Sequence, residues 1–270
     1  MSSLNRGESR APAAAGTFYP EDSDGLSELV RSLFEVANRL ERDAPGRVRA
    51  LVIPHAGYTY SGVVAAVSLA AVKETPRRVI LMGPAHRLAF KGVSGGDFAS
   101  YDVPGGSMPV DRQALADLEE RGLTTFFPDA HREEHSLEVI VPLLLERFGS
   151  VPIVPLLLGT ALDEDVARVL ERVLREDDLL VVSSDLSHYL TDERCRQKDA
   201  TTLEHIVEGR TGSVGPYEAC GHLGIGALNV LRAQRGWVPT VLGYSNSSDS
   251  GGDKKRVVGY GALALSLIHI

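Results

Sequence analysis

The segment DLLVVSSD, residues 178–185, decides the fold class, because four consecutive apolar residues run directly into three polar ones. Comparable apolar runs occur in VRALVIP (48–54), RRVILMG (77–83) and VPIVPLLLG (151–159). Continuous apolar runs of this length are typical of strands that are buried on both faces, as in a parallel sheet. The sequence therefore predicts four buried strands, each followed by a polar or glycine-containing turn.

Amphipathic segments lie between these strands and predict helices at 26–40, 63–72, 112–122, 137–149 and 163–176. Alternation of strand and helix predicts an α/β fold with a mostly parallel central sheet flanked by helices. After residue 190 the order changes to two helices and then two strands, which would complete the same sheet; they are predicted near 193–208, 221–235, 238–245 and 256–265.

The chain has 270 residues, of which 43% are hydrophobic and 24% are charged, and this is typical of a globular protein with a large core. It has no internal repeat and no low-complexity linker, so one domain over residues 1–270 is predicted, with flexible tails at 1–14 and 266–270. Residues 84–109, rich in Gly, Pro and Ser, predict a long irregular loop that is either functional or a cover over a sheet edge.

The charge and the cysteine content exclude several classes of protein. The 28 basic and 36 acidic residues give a net charge of −8 without a separate basic cluster, which argues against a nucleic-acid or anionic-membrane surface. No stretch approaches the roughly 18 apolar residues of a membrane-spanning helix. Two cysteines, Cys195 and Cys220, cannot form a disulfide framework, so a reducing cytoplasm is expected.

Three histidines follow the carboxyl ends of predicted strands. His55 follows LVIP, His86 follows VILMGPA, and His188 follows LLVVSSDLS. Ligands bind at this edge of open α/β sheets, so we expect the three to share a site; the alternative is a set of loop histidines that never meet.

Other polar residues near these strand ends have competing interpretations. Asp185 could face the same pocket as His188 if a helical turn starts there, or it could cap a helix. His135 lies at an apparent helix start that Ser136 could cap, and it forms a weaker metal-binding pair with Glu138. His131 is expected to be an exposed loop residue.

Cys220 directly precedes an apolar helix, whose amide dipoles would lower the pKa of the thiol and favour a metal-binding thiolate. The alternative is a small buried apolar residue. Cys195 has no such setting, and His205 and His222 are expected to be packing or surface residues. No CxxC, HExxH, Walker or GxGxxG motif is present, so the sequence gives no support to a nucleotide-binding function.

At these residues the sequence resembles the Memo family over essentially its whole length. The matching stretches, in family order, are AGTFYP (15–20), IPHAGYTYSG (53–62), ILMGPAHR (80–87), EEHSLEVIVPLL (133–144), VVSSDLSHY (181–189), ACGHLGIGAL (219–228) and VVGYGALAL (257–265). The resemblance implies a fold like that of the class III extradiol dioxygenases, which use non-haem iron. It also implies a functional link to a radical-SAM protein and an AMMECR1-like protein.

Carried over by residue, the resemblance implies a mononuclear metal site of His55, His86 and Cys220. It places Asp185 and His188 in the same pocket, with His135 nearby; the three are the expected catalytic residues, with His188 as the acid–base residue and Asp185 orienting it. The implied metal is iron(II) or copper, with zinc as an alternative. A redox metalloenzyme is the first expectation, followed by a non-enzymatic scaffold protein that reuses a dioxygenase-like pocket, for example to bind a peptide or a partner protein, and then a zinc hydrolase.

Overall fold

The computed structural model describes residues 5–210 and 212–268. The strands in these ranges are β1 (Arg47–Ile53), β2 (Arg78–Pro84), β3 (Val93–Gly95), β4 (Ser100–Val103), β5 (Gly106–Pro109), β6 (Ile153–Leu158), β7 (Asp178–Ser183), β8 (His188–Leu190), β9 (Val238–Asn246) and β10 (Val257–Leu267). All six strands predicted from the sequence are present, as β1, β2, β6, β7, β9 and β10.

The α-helices in the described ranges are α1 (Ser23–Arg39), α2 (Tyr58–Ala70), α3 (Arg112–Glu120), α4 (Pro128–Arg132), α5 (Val141–Phe148), α6 (Asp163–Val173), α7 (Asp192–Glu208) and α8 (His222–Arg235). Two short 3-10 helices lie at Glu138–Ile140 and Ser247–Ser250. No helix among the described residues combines the length and the hydropathy that crossing a membrane would require.

The main sheet has a parallel centre and antiparallel edges. Its strand order is β3-β6-β2-β7-β1-β10, with β8 and β9 both pairing with β10. The pairs β2–β6, β2–β7 and β1–β7 are parallel, whereas β3 and β10 join the two sides antiparallel. The α/β fold with a mostly parallel central sheet is therefore confirmed, and the two late strands complete that sheet as predicted.

Each central strand is buried on both faces, which explains why the sequence shows apolar runs rather than alternation. In β1, Leu51 and Ile53 pack on one face against α1, α2 and α5. Ala50 and Val52 point to the opposite face, where α6 and α8 contribute to a second core. The parallel alignment of β2, β7 and β1 brings their carboxyl ends to one edge of the sheet.

Residues 84–109 are more regular than the sequence predicts. They contain β3 at the edge of the main sheet, and β4 and β5 pair as a separate hairpin. The strands have three or four residues each, which is too short for a hydrophobic period to be visible, and the partner of β3 is the distant strand β6.

The predicted flexible tails are also partly wrong. Arg10 is fully buried in an ion pair with Glu138, and Ala14 belongs to the core. Ser266 and Leu267 pair with β1 as the end of β10. Residues 1–4 and 269–270, which include His269, lie outside the described residues.

A glycine in β10 permits close contact with α7. A Cβ placed on Gly259 would lie 1.8 Å from Oδ2 of Asp199, a fully buried carboxylate. The Tyr244 hydroxyl donates to this oxygen at 2.8 Å, and the Cys195 thiol donates to it at 3.1 Å. Cys195 therefore has a structural contact that the sequence did not indicate.

Replacing Gly259 with alanine is expected to destabilise the fold by about 1–3 kcal/mol, because the fixed carboxylate cannot make room for a methyl group. Gly243→Ala in β9 is the matched control, since its nearest neighbour would lie 3.9 Å away. Urea denaturation of both variants tests the prediction, and equal losses of unfolding free energy would contradict it.

Candidate metal centre

Histidines from three segments converge at the carboxyl edge of the sheet. His55 follows β1, His86 follows β2, and His135 lies just before the 3-10 helix that leads into α5. One ligand atom from each of the three side chains lies within 4.8 Å of the others. The rings of His86 and His135 stack with centroids 4.8 Å apart, and His55 meets both edge-on. His55 and His86, two of the three histidines expected to share a site, therefore lie together; among the described residues, the third member of this group is His135 and not His188.

His55 is the buried member of this cluster, with 2% of its surface exposed. Its backbone N–H donates to Oδ1 of Asp185 at 2.8 Å, and its Nδ1 lies 2.6 Å from the Ser183 hydroxyl. Burial, followed by the nearby charges of His86 and His135, holds the pKa of His55 well below its ordinary value. A neutral imidazole is the form that binds metal ions.

His86 lies at the open side of the cluster, where its side chain is 31% exposed. Its Nδ1 lies 2.9 Å from Oε1 of Glu134, and Glu134 also accepts hydrogen bonds from the backbone N–H groups of His86, His135 and Ser136. Burial opposes ionisation of Glu134, but these donors outweigh it and lower its pKa to about 2. Glu134 is thus a buried carboxylate that connects the segment carrying His86 to the segment carrying His135.

His135 is stacked between Phe18, at a centroid distance of 4.4 Å, and His86. Its Nδ1 is buried and has no hydrogen-bond partner, although Oε1 of Glu134 is 3.3 Å away. Burial lowers the pKa of His135 to about 4. The helix-cap interpretation of Ser136 is wrong, because its hydroxyl donates to the carbonyl of Pro84 instead.

Cys220 lies against His55, with Sγ 3.4 Å from Nε2 of the imidazole. The backbone N–H of Asp185 points at the sulfur from 3.2 Å. Burial raises the pKa of Cys220 to about 12, so the expected lowering by the helix N-terminus is wrong for the metal-free chain. Metal binding displaces the thiol proton, which makes Cys220 a competent ligand once an ion is present.

Asp185 and His188 follow β7 without forming a helical turn, and no helix begins there, so the capping interpretation is wrong. Asp185 is tied to the backbone of His55, and burial raises its pKa to about 7. Among the described residues, no hydrogen bond joins Asp185 to His188. His188 starts β8 opposite Val258, and burial lowers its pKa.

The side chains that could bind a metal ion are thus the imidazoles of His55 and His86, the thiol of Cys220 and the imidazole of His135, whose buried Nδ1 has no hydrogen-bond partner. The sequence analysis missed Glu134 and Ser183, although each stands next to or near a predicted catalytic residue, His135 or Asp185. The only available signal was their presence within the motifs EEHSLE and SSDLSH.

His131 is not the exposed loop residue that the sequence suggested. It is 1% exposed, and its ring nitrogens contact the Tyr101 hydroxyl at 2.8 Å and the Ser94 hydroxyl at 3.0 Å. Burial, with a smaller contribution from the Arg10 charge, lowers its pKa from 6.5 to about 3. His131 lies beside the N-terminal segment and is not part of the metal-binding cluster.

His131 makes stability depend on pH. Its folded-state pKa lies below the unfolded value, so below about pH 6.5 the unfolded chain binds a proton that the folded chain does not. Stability is then lost at roughly 1.4 kcal/mol per pH unit, or about 2 kcal/mol by pH 5. Urea denaturation from about pH 7 to about pH 5 should show a shallower decline in His131→Gln; parallel declines would contradict the assignment.

A cavity of about 300 Å³ opens beside Cys220. It lies between the loop around Leu88 and Phe90, the end of β6, and the start of α8. Among the described residues that line it, none is Asp, Glu, Lys or Arg. The cavity therefore offers a surface without Asp, Glu, Lys or Arg beside Cys220, which contacts His55 of the histidine cluster.

Comparison with known proteins identifies the family. The family model described as "Memo-like protein" matches residues 10–264. The chain is 35% identical to a MEMO1 family protein of Aquifex aeolicus over 93% of this chain and 97% of that protein, and 35% identical to one of Aeropyrum pernix over 94% and 98%. A crystal structure of an uncharacterized Escherichia coli K12 protein shares the fold, with a TM-score of 0.50 and 15% identity over 80% of this chain and 99% of that chain. With its cluster of strand-end histidines and a family match that spans nearly its whole length, the chain belongs to the Memo-like family.

Proposed function

We propose that the protein is a redox metalloprotein with one metal ion held by His55, His86 and Cys220. The observation that carries this proposal is the convergence of the two imidazoles on one point, with the Cys220 sulfur 3.4 Å from Nε2 of His55. Imidazole and thiolate ligands suit iron, copper and zinc, and a set of three protein ligands leaves open positions.

A bound iron(II) or copper ion would supply redox chemistry at those open positions. The residues of the chain have separate tasks around it. His55 and His86 bind through Nε2, while Asp185 holds the His55 backbone by accepting its N–H. His135 stacks on His86 at the edge of the site. His188 is the proposed acid–base residue; burial lowers the pKa of its ring, which favours the neutral form that can accept a proton.

The adjacent cavity supports a small uncharged substrate. Its volume of about 300 Å³ is at the lower end of small-molecule pockets. A phosphorylated peptide would need basic side chains for its phosphate, and the described lining residues include no Lys or Arg. The cavity therefore favours an enzyme with a small substrate over a binding protein for phosphorylated peptides.

Elemental analysis of protein purified without oxygen tests the proposal. Near-stoichiometric iron or copper, together with oxygen consumption that chelators abolish, is the expected result. Stoichiometric zinc, and turnover that needs neither oxygen nor reductant, would replace it with the hydrolase. Absence of metal after reconstitution with each ion would overturn the metalloprotein and leave the scaffold as the function.

A further inference from the structure

The proton positions on His55 follow from the chain of hydrogen bonds behind it. The Ser183 hydroxyl donates to the carbonyl oxygen of Ser136 at 2.6 Å. A serine hydroxyl has a single hydrogen, so Ser183 can only accept at its second contact, 2.6 Å away at Nδ1 of His55. Nδ1 of His55 must therefore carry the proton, and in the neutral ring Nε2 keeps a free lone pair.

Glu134 sets the same Nδ1–H tautomer in His86, through a carboxylate instead of a hydroxyl. The carboxylate is 2% exposed, and several backbone N–H groups point at it, so it is held as an acceptor. Its contact with Nδ1 of His86 at 2.9 Å thus requires a proton on that nitrogen. Nε2 of His86 is then free as well.

We infer that Ser183 and Glu134 are positioning residues that set the Nδ1–H tautomer of His55 and His86 before any metal arrives. Each residue acts on one histidine: Ser183 on the buried ring and Glu134 on the partly exposed ring. Nε2 is thereby the free nitrogen of both rings, and in His55 it lies 3.4 Å from the Cys220 sulfur. The usefulness of this arrangement for metal binding rests on the proposed function, whereas the tautomers themselves do not.

The test is ¹⁵N NMR of metal-free protein labelled at histidine, at a pH well above the ordinary pKa of the ring. Long-range ¹⁵N–¹H correlations distinguish an Nδ1–H from an Nε2–H ring, and His55→Gln and His86→Gln assign the signals. Both rings are expected to be Nδ1–H in the wild-type protein. An Nε2–H ring at either position would overturn the inference.

Substitutions then assign each tautomer to its partner. Ser183→Ala should change the tautomer of His55 and leave that of His86, while Glu134→Gln should do the reverse. Ser183→Thr keeps the hydroxyl and should restore the wild-type pattern. Ser184→Ala is the matched control, because Ser184 is equally buried but bonds to Asp185 and Gly221 rather than to His55. If the substitutions acted by loosening the whole fold, the tautomers of both His55 and His86 would change in every variant. That result would also overturn the inference.

Cobalt(II) titration separates this inference from the proposed function. If the wild-type protein binds cobalt(II), Ser183→Ala and Glu134→Gln should each weaken binding by about 10- to 100-fold, the usual effect of removing such a partner. Unchanged cobalt affinity in both variants would overturn the positioning role. If the wild-type protein binds no metal, the metalloprotein proposal fails while the NMR result still decides the tautomers.

Discussion

The substitution His55→Ala is expected to abolish stoichiometric metal binding. The Nε2 atom of this residue lies 3.4 Å from the Cys220 sulfur, and one of its ring nitrogens lies within 4.8 Å of ligand atoms of His86 and His135, so His55 is the residue that contacts all the other candidate ligands. If the about 10–16 kcal/mol of a four-ligand zinc site is divided evenly, one ligand is worth roughly 3 kcal/mol, or more than a hundredfold in affinity.

The fold should survive this substitution, because the contact between Asp185 and residue 55 uses the backbone N–H, which alanine retains. Metal content of the purified protein and circular dichroism are the measurements. His205→Ala on α7 is the control for loss of a histidine outside the cluster. Full metal content in His55→Ala would show that the site lies elsewhere.

The same experiment identifies the third ligand. Cys220→Ser should lose metal, whereas His135→Ala should retain it with reduced affinity. Cobalt(II) bound to a thiolate gives an intense near-ultraviolet charge-transfer band, which should be present in the wild-type protein and in His135→Ala. A cobalt-loaded wild-type protein without that band would place His135, rather than Cys220, in the ligand set.

The second prediction with a large expected effect concerns stability and the buried ion pair of the N-terminal segment. Arg10 and Glu138 form an ion pair in which both side chains are fully buried, with Nη1 and Oε2 2.6 Å apart. Glu138 also accepts the N–H of Ala14 and the hydroxyl of Tyr19. Arg10→Met should reduce the free energy of unfolding by about 3–5 kcal/mol, because it leaves a buried carboxylate without its positive partner.

Urea denaturation measures this loss. Arg168→Ala removes an exposed ion pair with Asp165 and should cost about 0–1 kcal/mol. The double variant Arg10→Met, Glu138→Gln should recover part of the stability, since no unpaired charge remains. A loss in Arg10→Met no larger than in the Arg168 control would contradict the assigned role of the pair.

The sequence determined the architecture because the central strands are apolar on both faces. Runs such as VILM in β2 and LLVV in β7 can only be buried between two layers of helices, and this requirement is visible without coordinates. The placement of His55 and His86 followed from the same reasoning, since the ends of neighbouring parallel strands share one edge. The short strand β3 was not predictable, because its partner β6 is distant in the chain; β4 and β5 pair with each other as a local hairpin but are too short to show an alternating pattern.

Only the tertiary structure decided what surrounds those histidines. Ser183 and Glu134 act through single hydrogen bonds to rings 128 and 48 residues away, and no local pattern records such a contact. The same holds for Arg10, whose burial depends on Glu138 rather than on the polar N-terminal sequence around it. Hydrophobic periodicity is a local property that survives in the sequence, whereas the pairing of a buried polar group depends on residues that meet only after folding.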